Sequence, residues 1–206
     1  MNKISTLFLD IGNILLTNGW DTASRKLASK TFDLDYEEFA ERHAYLSSLY
    51  EEGRITLNDY LDKAIFYDER SFSKADFKNF MFSQSKPIPK MIDLFKHLKS
   101  KYKLKVVALN NEGLELSRYR VETFKLNELI DFFVTSCFVK MKKPDENIYK
   151  LAMYLAYVTS EESLFIDDRY FNVETAAKLG MNAFQHKDYV ATKEKLAQYG
   201  LKTETI

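Results

Sequence analysis

The stretch TLFLDIGNILL, residues 6–16, decides the fold: an apolar run reaches one carboxylate, Asp10, breaks at Gly12 and then resumes. Short continuous apolar runs are typical of strands that are covered on both faces. Further runs of this character are LKVVALN (104–110), FFVTSC (132–137), SLFIDD (163–168) and, more weakly, NAFQH (182–186). The pattern therefore predicts a set of buried strands, and the first of them ends on a charged side chain.

Helical patterns lie between these strands. Apolar residues recur at helical spacing in PKMIDLFKHLKSKY (89–102), PDENIYKLAMYLAY (144–157) and NVETAAKLGM (172–181), where Gly180 is a typical helix stop. A strand, helix, strand order repeated in this way indicates an α/β fold with a doubly wound parallel sheet.

Residues 18–86 interrupt the alternation, because they contain consecutive helix patterns and no good strand. Three pairs have the spacing of helix-capping residues: Asp35 with Glu38, Thr56 with Asp59, and Ser73 with Asp76. We therefore predict an all-helical cap domain at 18–86, inserted into an α/β core of residues 1–17 and 87–206, with the KPIP turn (86–89) as a boundary. Ligands bind outside the carboxyl ends of strands in such sheets, so the insertion is expected to act as a lid.

Composition narrows the class of protein. The 206 residues are 46% hydrophobic, and 30 Lys and Arg balance 30 Asp and Glu, so no overall charge favours nucleic acid or an anionic membrane. The single cysteine, Cys137, is expected in the core, and no disulfide framework can form. We see neither a signal-peptide pattern nor an apolar run of membrane-spanning length, so we expect a cytoplasmic protein, either monomer or homodimer, without nucleic-acid or membrane partners.

Polar residues gather where the predicted strands end. In a parallel sheet these ends share one edge, which would bring together Asp10, Asn110, Asn111, Lys143, Asp167 and Asp168. Phosphoryl transfer to a carboxylate needs an attacking oxygen, a divalent cation, donors for the phosphoryl oxygens and a fixed positive charge. The set contains a candidate for each requirement, and its carboxylates suit Mg²⁺.

These motifs resemble those of the haloacid dehalogenase (HAD) superfamily of hydrolases. The similar segments, in the family's order, are FLDIGNILL (8–16), VVALNNEG (106–113), MKKPDENIY (141–149) and LFIDDRYFNVETAAKLGM (164–181). The resemblance spans nearly the whole chain and implies a Rossmann-like core with a helical first-type cap. It implies that Asp10 is a nucleophile that forms an aspartyl-phosphate, and that Asn110, Asn111 and Lys143 bind the phosphoryl group. The implied Mg²⁺ ligands are Asp10, the backbone carbonyl of Gly12, Asp168 and, through water or by orienting the site, Asp167.

Two positions depart from the family pattern. Gly12 stands where many family phosphatases carry a second aspartate as general acid and base, and Asn110 replaces a serine or threonine. Gly12 keeps its carbonyl for the metal, but it cannot protonate a leaving group. We therefore expect either an acid from the cap or an ordered water, or a substrate with a good leaving group, such as an acyl phosphate or an anomeric sugar phosphate.

The residues support a phosphatase acting on a small phosphorylated metabolite, and two alternatives stay open. In a metal-free carbon–halogen hydrolase Asp10 would attack carbon, but the Asp167–Asp168 pair is a liability without a cation. A binding or regulatory protein that has lost turnover would explain Gly12 and Asn110. A mutase is disfavoured by Gly12, and a nucleotide-binding dehydrogenase by the lack of Gly-x-Gly-x-x-Gly after the first strand.

Several further residues are weaker candidates for the site. Arg169, Asn172 and Glu112 could line it, and His43 could face it from the cap, whereas His97 and His186 are expected to be structural. Trp20 and the other cap aromatics are expected to form the core of the cap.

Overall fold

A single parallel sheet forms the centre of the computed structural model, which describes residues 3–203. Its five strands are β1 (Thr6–Leu9), β2 (Lys105–Asn110), β3 (Phe132–Thr135), β4 (Ser163–Asp167) and β5 (Asn182–Gln185). They lie in the order β3-β2-β1-β4-β5, and every neighbouring pair is parallel. The predicted doubly wound parallel sheet is confirmed.

Both faces of the sheet are covered, which explains why the strands read as continuous apolar runs. Leu7 and Leu9 of β1 belong to one buried apolar cluster, while Phe8, between them, belongs to a cluster on the other side. Successive side chains of a strand point to opposite faces, so a strand buried on both faces needs apolar residues at every position.

The helices are α1 (Thr22–Thr31), α2 (Tyr36–Glu51), α3 (Leu57–Ala64), α4 (Lys74–Ser83), α5 (Pro89–Tyr102), α6 (Leu114–Thr123), α7 (Ser136–Val139), α8 (Glu146–Ala156), α9 (Tyr170–Lys178) and α10 (Tyr189–Gln198). Within residues 3–203, no helix is both long and apolar enough to cross a bilayer.

The first four helices follow β1 directly and form the helical insertion, a name used below for residues 18–86. Capping side chains begin three of them as the spacing predicts: Asp35 accepts from the backbone N–H of Glu38, and Thr56 and Ser73 form complete capping boxes with residues three positions later. Hydrogen bonds from the N–H of Thr17 to the carbonyl of Lys86 (2.8 Å) and back from the N–H of Lys86 to Thr17 Oγ1 (2.9 Å) join the two connecting segments.

Some boundaries differ from those the sequence suggests. The run FFVTSC (132–137) leaves the sheet at Thr135, and Cys137 lies buried in the short helix α7, where burial raises the pKa of its thiol to about 11. Residues 136 and 137 are apolar or small enough for either a strand or a buried turn, so the run alone does not locate the strand's end.

Phe77 is the centre of the insertion's apolar cluster. It is fully buried on α4 and contacts the rings of Trp20, Phe32 and Phe72, among others. Replacing it with alanine should cost about 3–5 kcal/mol of unfolding free energy, measured by urea denaturation. The matched control is Phe138→Ala, since Phe138 is 54% exposed and should change stability by less than about 0.5 kcal/mol. Equal losses in the two variants would contradict this account of the core.

Candidate active site

The polar residues that follow the strands meet at one edge of the sheet. Asp10 comes directly after β1, Asn110 is the last residue of β2, and Asp167 is the last residue of β4, with Asp168 next to it. The loop between α7 and α8 brings Lys143 to the same edge. All of these residues except the fully buried Asp167 line one cavity between the sheet and the helical insertion.

Lys143 is the electrostatic centre of the site. Its Nζ donates to Asp10 Oδ1 at 2.8 Å and to Asp167 Oδ2 at 2.6 Å, and the side chain is almost completely buried. Burial lowers the pKa of Lys143, but the two carboxylates outweigh this effect and raise it above its usual value. The ammonium therefore stays charged and holds β1 and β4 together at their carboxyl ends.

The two neighbouring aspartates have different environments. Asp167 is fully buried, and besides Lys143 it accepts hydrogen bonds from the backbone N–H of Arg169 (2.8 Å) and from Asn172 Nδ2 (3.0 Å). Asp168 is partly exposed, and its Oδ2 accepts from Asn13 Nδ2 at 2.8 Å. Asp167 is thus held by protein donors, whereas Asp168 faces the cavity.

A divalent cation fits this cluster. Carboxylate oxygens of Asp10, Asp167 and Asp168 lie within 4.8 Å of one another. Burial raises the pKa of Asp10 to about 6, with further contributions from Asp167 and Asp168, although Lys143 opposes the rise. Three carboxylates with one ammonium keep an excess of negative charge, and hard oxygen ligands of this kind suit Mg²⁺.

Asn110 and Asn111 have different partners. Asn110 is 3% exposed, and its Nδ2 is a buried donor with no hydrogen-bond partner among the described residues. Asn111 instead exchanges two hydrogen bonds of 2.8 Å with the backbone N–H and carbonyl of Lys143. The side chain of Asn111 therefore positions the lysine, whereas the Asn110 donor is left unpaired, and both residues line the cavity.

The cavity has a volume of about 610 Å³ and is closed on its far side by the helical insertion. Glu51 of α2 pairs with Lys142 across this boundary at 2.9 Å, and its carbonyl accepts from Ser136 Oγ at 2.5 Å. The Tyr50 ring lies so close to Gly113 that a Cβ there would overlap it. The insertion is thus seated on the core by direct contacts.

His43 and Trp20 meet at a buried phenol. Trp20 Nε1 donates to the hydroxyl of Tyr60 at 3.1 Å, and His43 Nδ1 lies 2.8 Å from the same oxygen. Since the hydroxyl accepts from Trp20, its own proton is available to His43 Nδ1. Burial, aided by Arg25, lowers the pKa of His43 to about 4, so the imidazole is neutral near pH 7. His43 lines the cavity but does not supply an acidic proton.

A second buried ion pair lies beside the site. Arg120 of α6 donates through Nη1 to Glu112 Oε2 at 2.5 Å, and both side chains line the cavity. Arg120 also donates to Ser85 Oγ (3.0 Å), to the carbonyl of Thr17 (3.4 Å) and to the carbonyl of Asn18. Sequence reasoning suggested Glu112, Arg169 and Asn172, which do line the cavity, but it missed Arg120; the only signal was a charge four residues after Leu116 on the helix.

Comparisons with known proteins agree with this geometry. The sequence profile of the family described as haloacid dehalogenase-like hydrolase matches residues 18–185. No curated protein matches the chain significantly.

Solved structures of low sequence identity share the fold. An HAD family enzyme from Bacteroides thetaiotaomicron has a TM-score of 0.79 and 23% identity, with 90% of this chain and 95% of that chain covered. A complex of that enzyme with magnesium and inorganic phosphate has a TM-score of 0.75 and 24% identity, with 89% and 94% covered. L-2-haloacid dehalogenase from Xanthobacter autotrophicus, with chloropropionic acid covalently bound, has a TM-score of 0.63 and 15% identity, with 95% and 83% covered. At these identities the likeness concerns the fold alone.

Removing the ammonium should destabilise the protein in a pH-dependent way. Lys143→Met leaves Asp10 and Asp167 unpaired in the interior, which should cost about 3–5 kcal/mol of unfolding free energy near neutral pH. Without Lys143, which opposes the rise, the pKa of Asp10 is higher still, so protonation of Asp10 relieves the repulsion. The deficit should therefore shrink as pH falls from about 8 to about 5.

The control is Lys142→Met, since the Lys142 and Glu51 side chains are 29% and 34% exposed and their pair should contribute at most about 1 kcal/mol. Urea denaturation of both variants at several pH values provides the measurement. A deficit for Lys143→Met that is independent of pH would contradict the proposed charge balance.

Proposed function

The chain belongs to the haloacid dehalogenase-like hydrolases, and from this premise we propose that it is a Mg²⁺-dependent phosphatase acting on a small phosphorylated metabolite. The observation that carries the proposal is the cluster of Asp10, Asp167 and Asp168, in which Lys143 pairs with the first two carboxylates. Such a cluster of carboxylates needs a cation, whereas a carbon–halogen hydrolase works without one. The magnesium and phosphate complex of the Bacteroides thetaiotaomicron enzyme, which has the same fold, supports the proposal.

Asp10, Asp168 and the backbone carbonyl of Gly12 would hold the Mg²⁺. Asp167 would orient the site or bind the metal through water, since its oxygens already accept from three protein donors. When bound, the metal supplies positive charge that screens the phosphoryl oxygens from the carboxylates.

Asp10 is the proposed nucleophile. One of its oxygens, Oδ1, is fixed by Lys143, which leaves Oδ2 as the oxygen that attacks phosphorus. The phosphoryl group moves to Asp10 as an aspartyl-phosphate, and water then releases it as inorganic phosphate. Lys143 neutralises charge on the transferring group, while the unpaired Nδ2 of Asn110 donates to a phosphoryl oxygen.

The cavity supports a small polar substrate. Its volume of about 610 Å³ suits a metabolite, and the insertion contributes aromatic rings together with hydroxyl, imidazole and carboxylate groups. We propose a sugar phosphate or an acyl phosphate as the substrate class. Closure of the insertion would exclude bulk water until the aspartyl-phosphate has formed.

The first test measures phosphate release from acetyl phosphate, sugar phosphates and p-nitrophenyl phosphate with Mg²⁺ or EDTA. Release should require the metal, and Asp10→Asn should lower it by at least about 10³-fold, because an amide is a poor nucleophile. Asp93→Asn, a change at an exposed site on α5, is the matched control. Chloride release from 2-chloropropionate without metal, with no phosphate release from any substrate, would instead favour the dehalogenase alternative.

The two asparagines give a second test. Asn110→Leu removes a buried donor that has no partner, so it should leave stability nearly unchanged but lower kcat/KM by about 10²–10³-fold. Asn111→Leu removes both hydrogen bonds to Lys143, so it should cost about 1–3 kcal/mol of unfolding free energy. Thermal denaturation and phosphatase assays separate these effects. A large stability loss in Asn110→Leu with unchanged kcat/KM would contradict the assigned roles.

A further inference from the structure

The proposed reaction needs a proton donor that the first motif does not provide. Gly12 has no side chain, and a Cβ placed there would lie 3.2 Å from Asn18 Oδ1 and 3.4 Å from Asp10 Oδ2. The side chain of Asn18 thus occupies the space beside Gly12. An acid for the leaving group must come from another part of the cavity.

Within the described part of the chain, three carboxyl groups besides those of Asp10 and Asp168 line the cavity: Asp21, Glu51 and Glu112. Asp21 Oδ1 accepts from the backbone N–H of Ser24 and caps α1, and Glu51 is paired with Lys142 at the edge of the insertion. Glu112 is 8% exposed and lies two residues after Asn110, which is the proposed hydrogen-bond donor to the phosphoryl group.

We propose that Glu112 is the general acid and base of the reaction. This inference rests on the proposed phosphatase function. In the first step Asp10 attacks phosphorus, the bond from phosphorus to the leaving oxygen breaks, and that oxygen takes the proton of the Glu112 carboxyl group. In the second step the Glu112 carboxylate takes a proton from water as the water oxygen attacks phosphorus. The bond from phosphorus to Asp10 then breaks, which restores both groups and releases phosphate.

The contact with Arg120 orients this acid. The guanidinium donates to Glu112 Oε2, and it can only donate hydrogen bonds, so a proton on Glu112 belongs on Oε1. The backbone N–H of Glu112 donates to Ser136 Oγ at 3.0 Å, which fixes the residue at its other end. Glu112 is thus held from both sides while it lines the cavity.

The charges around Glu112 favour a proton that can be exchanged near neutral pH. Burial raises the pKa of Glu112 to about 7 against the effect of Arg120, and the carboxylates of Glu51 and Asp10 add to the rise. Glu112 also affects two other titratable groups, the phenol of Tyr50 and the thiol of Cys137. The pKa values of both groups are raised, so both stay neutral. A general acid works best with a pKa near the operating pH.

The test compares Glu112→Gln with wild type on two aryl phosphates in the presence of Mg²⁺. Phenyl phosphate needs a proton on its leaving oxygen, whereas p-nitrophenolate leaves without one. The variant should hydrolyse phenyl phosphate about 10²–10⁴-fold more slowly. With p-nitrophenyl phosphate it should still give a burst of one p-nitrophenolate per active site, followed by slow turnover, because water attack lacks its base.

Two further readouts separate this role from a structural one. The wild-type rate with phenyl phosphate should fall as pH rises through the pKa of Glu112, and this fall should be absent in Glu112→Gln. In the Glu112→Gln background we add Gly12→Asp together with Asn18→Ala, which makes room for the new side chain. The rate with phenyl phosphate should then rise at least about tenfold above that of Glu112→Gln alone. Asp21→Asn also changes a carboxyl group that lines the cavity, and asparagine still caps α1, so this variant should change the rates with both substrates by the same factor.

The inference is overturned if Glu112→Gln slows the first-turnover release of phenol and of p-nitrophenolate equally, if the folded variant gives no burst, or if the selective loss appears in Asp21→Asn. Failure of the proposed function gives a different result, since the wild-type protein would then release no p-nitrophenolate in a Mg²⁺-dependent way. A circular-dichroism spectrum and a urea unfolding transition that match wild type show that the variant is folded, so a missing burst then counts against the inference.

Discussion

The ammonium of Lys143 between Asp10 and Asp167 is the interaction on which the rest of the site depends. It joins the ends of two adjacent strands to a loop that is distant in sequence. One positive charge among three carboxylates still leaves an excess of negative charge, which would repel a phosphate dianion. In the proposed reaction a cation would therefore have to bind before the phosphoryl group, and this order follows from the charges.

The position of that ammonium is itself set by Asn111. Its side chain bonds to both the backbone N–H and the backbone carbonyl of Lys143, so the lysine approaches the carboxylates from one direction. Its neighbour Asn110 has the same side chain but presents an unpaired donor to the cavity. Adjacent residues of an extended chain point in opposite directions, so two identical side chains reach different partners.

The sequence predicts the features that depend on local patterns. The strands follow from continuous apolar runs, and α5 spans the predicted Pro89–Tyr102 because proline begins the helix and its apolar stripe is regular. Helix α6 was not predicted, since the charged Arg120 interrupts its buried face and is compensated only by a tertiary contact with Glu112. Nor could the sequence tell which of Asn110 and Asn111 bonds to the backbone of Lys143, because that depends on where the loop carrying Lys143 returns.

The contacts of Arg120 connect the lack of a side chain at Gly12 with the position of Glu112. Its guanidinium binds Glu112 on one side and the carbonyl of Asn18 on the other, and the Asn18 side chain lies against the space that a residue larger than Gly12 would need. A second aspartate at position 12 would displace Asn18 and disturb the contacts that hold Arg120. Moving the acid to the end of β2 removes this conflict, since Glu112 then shares the arginine that anchors both connecting segments of the insertion.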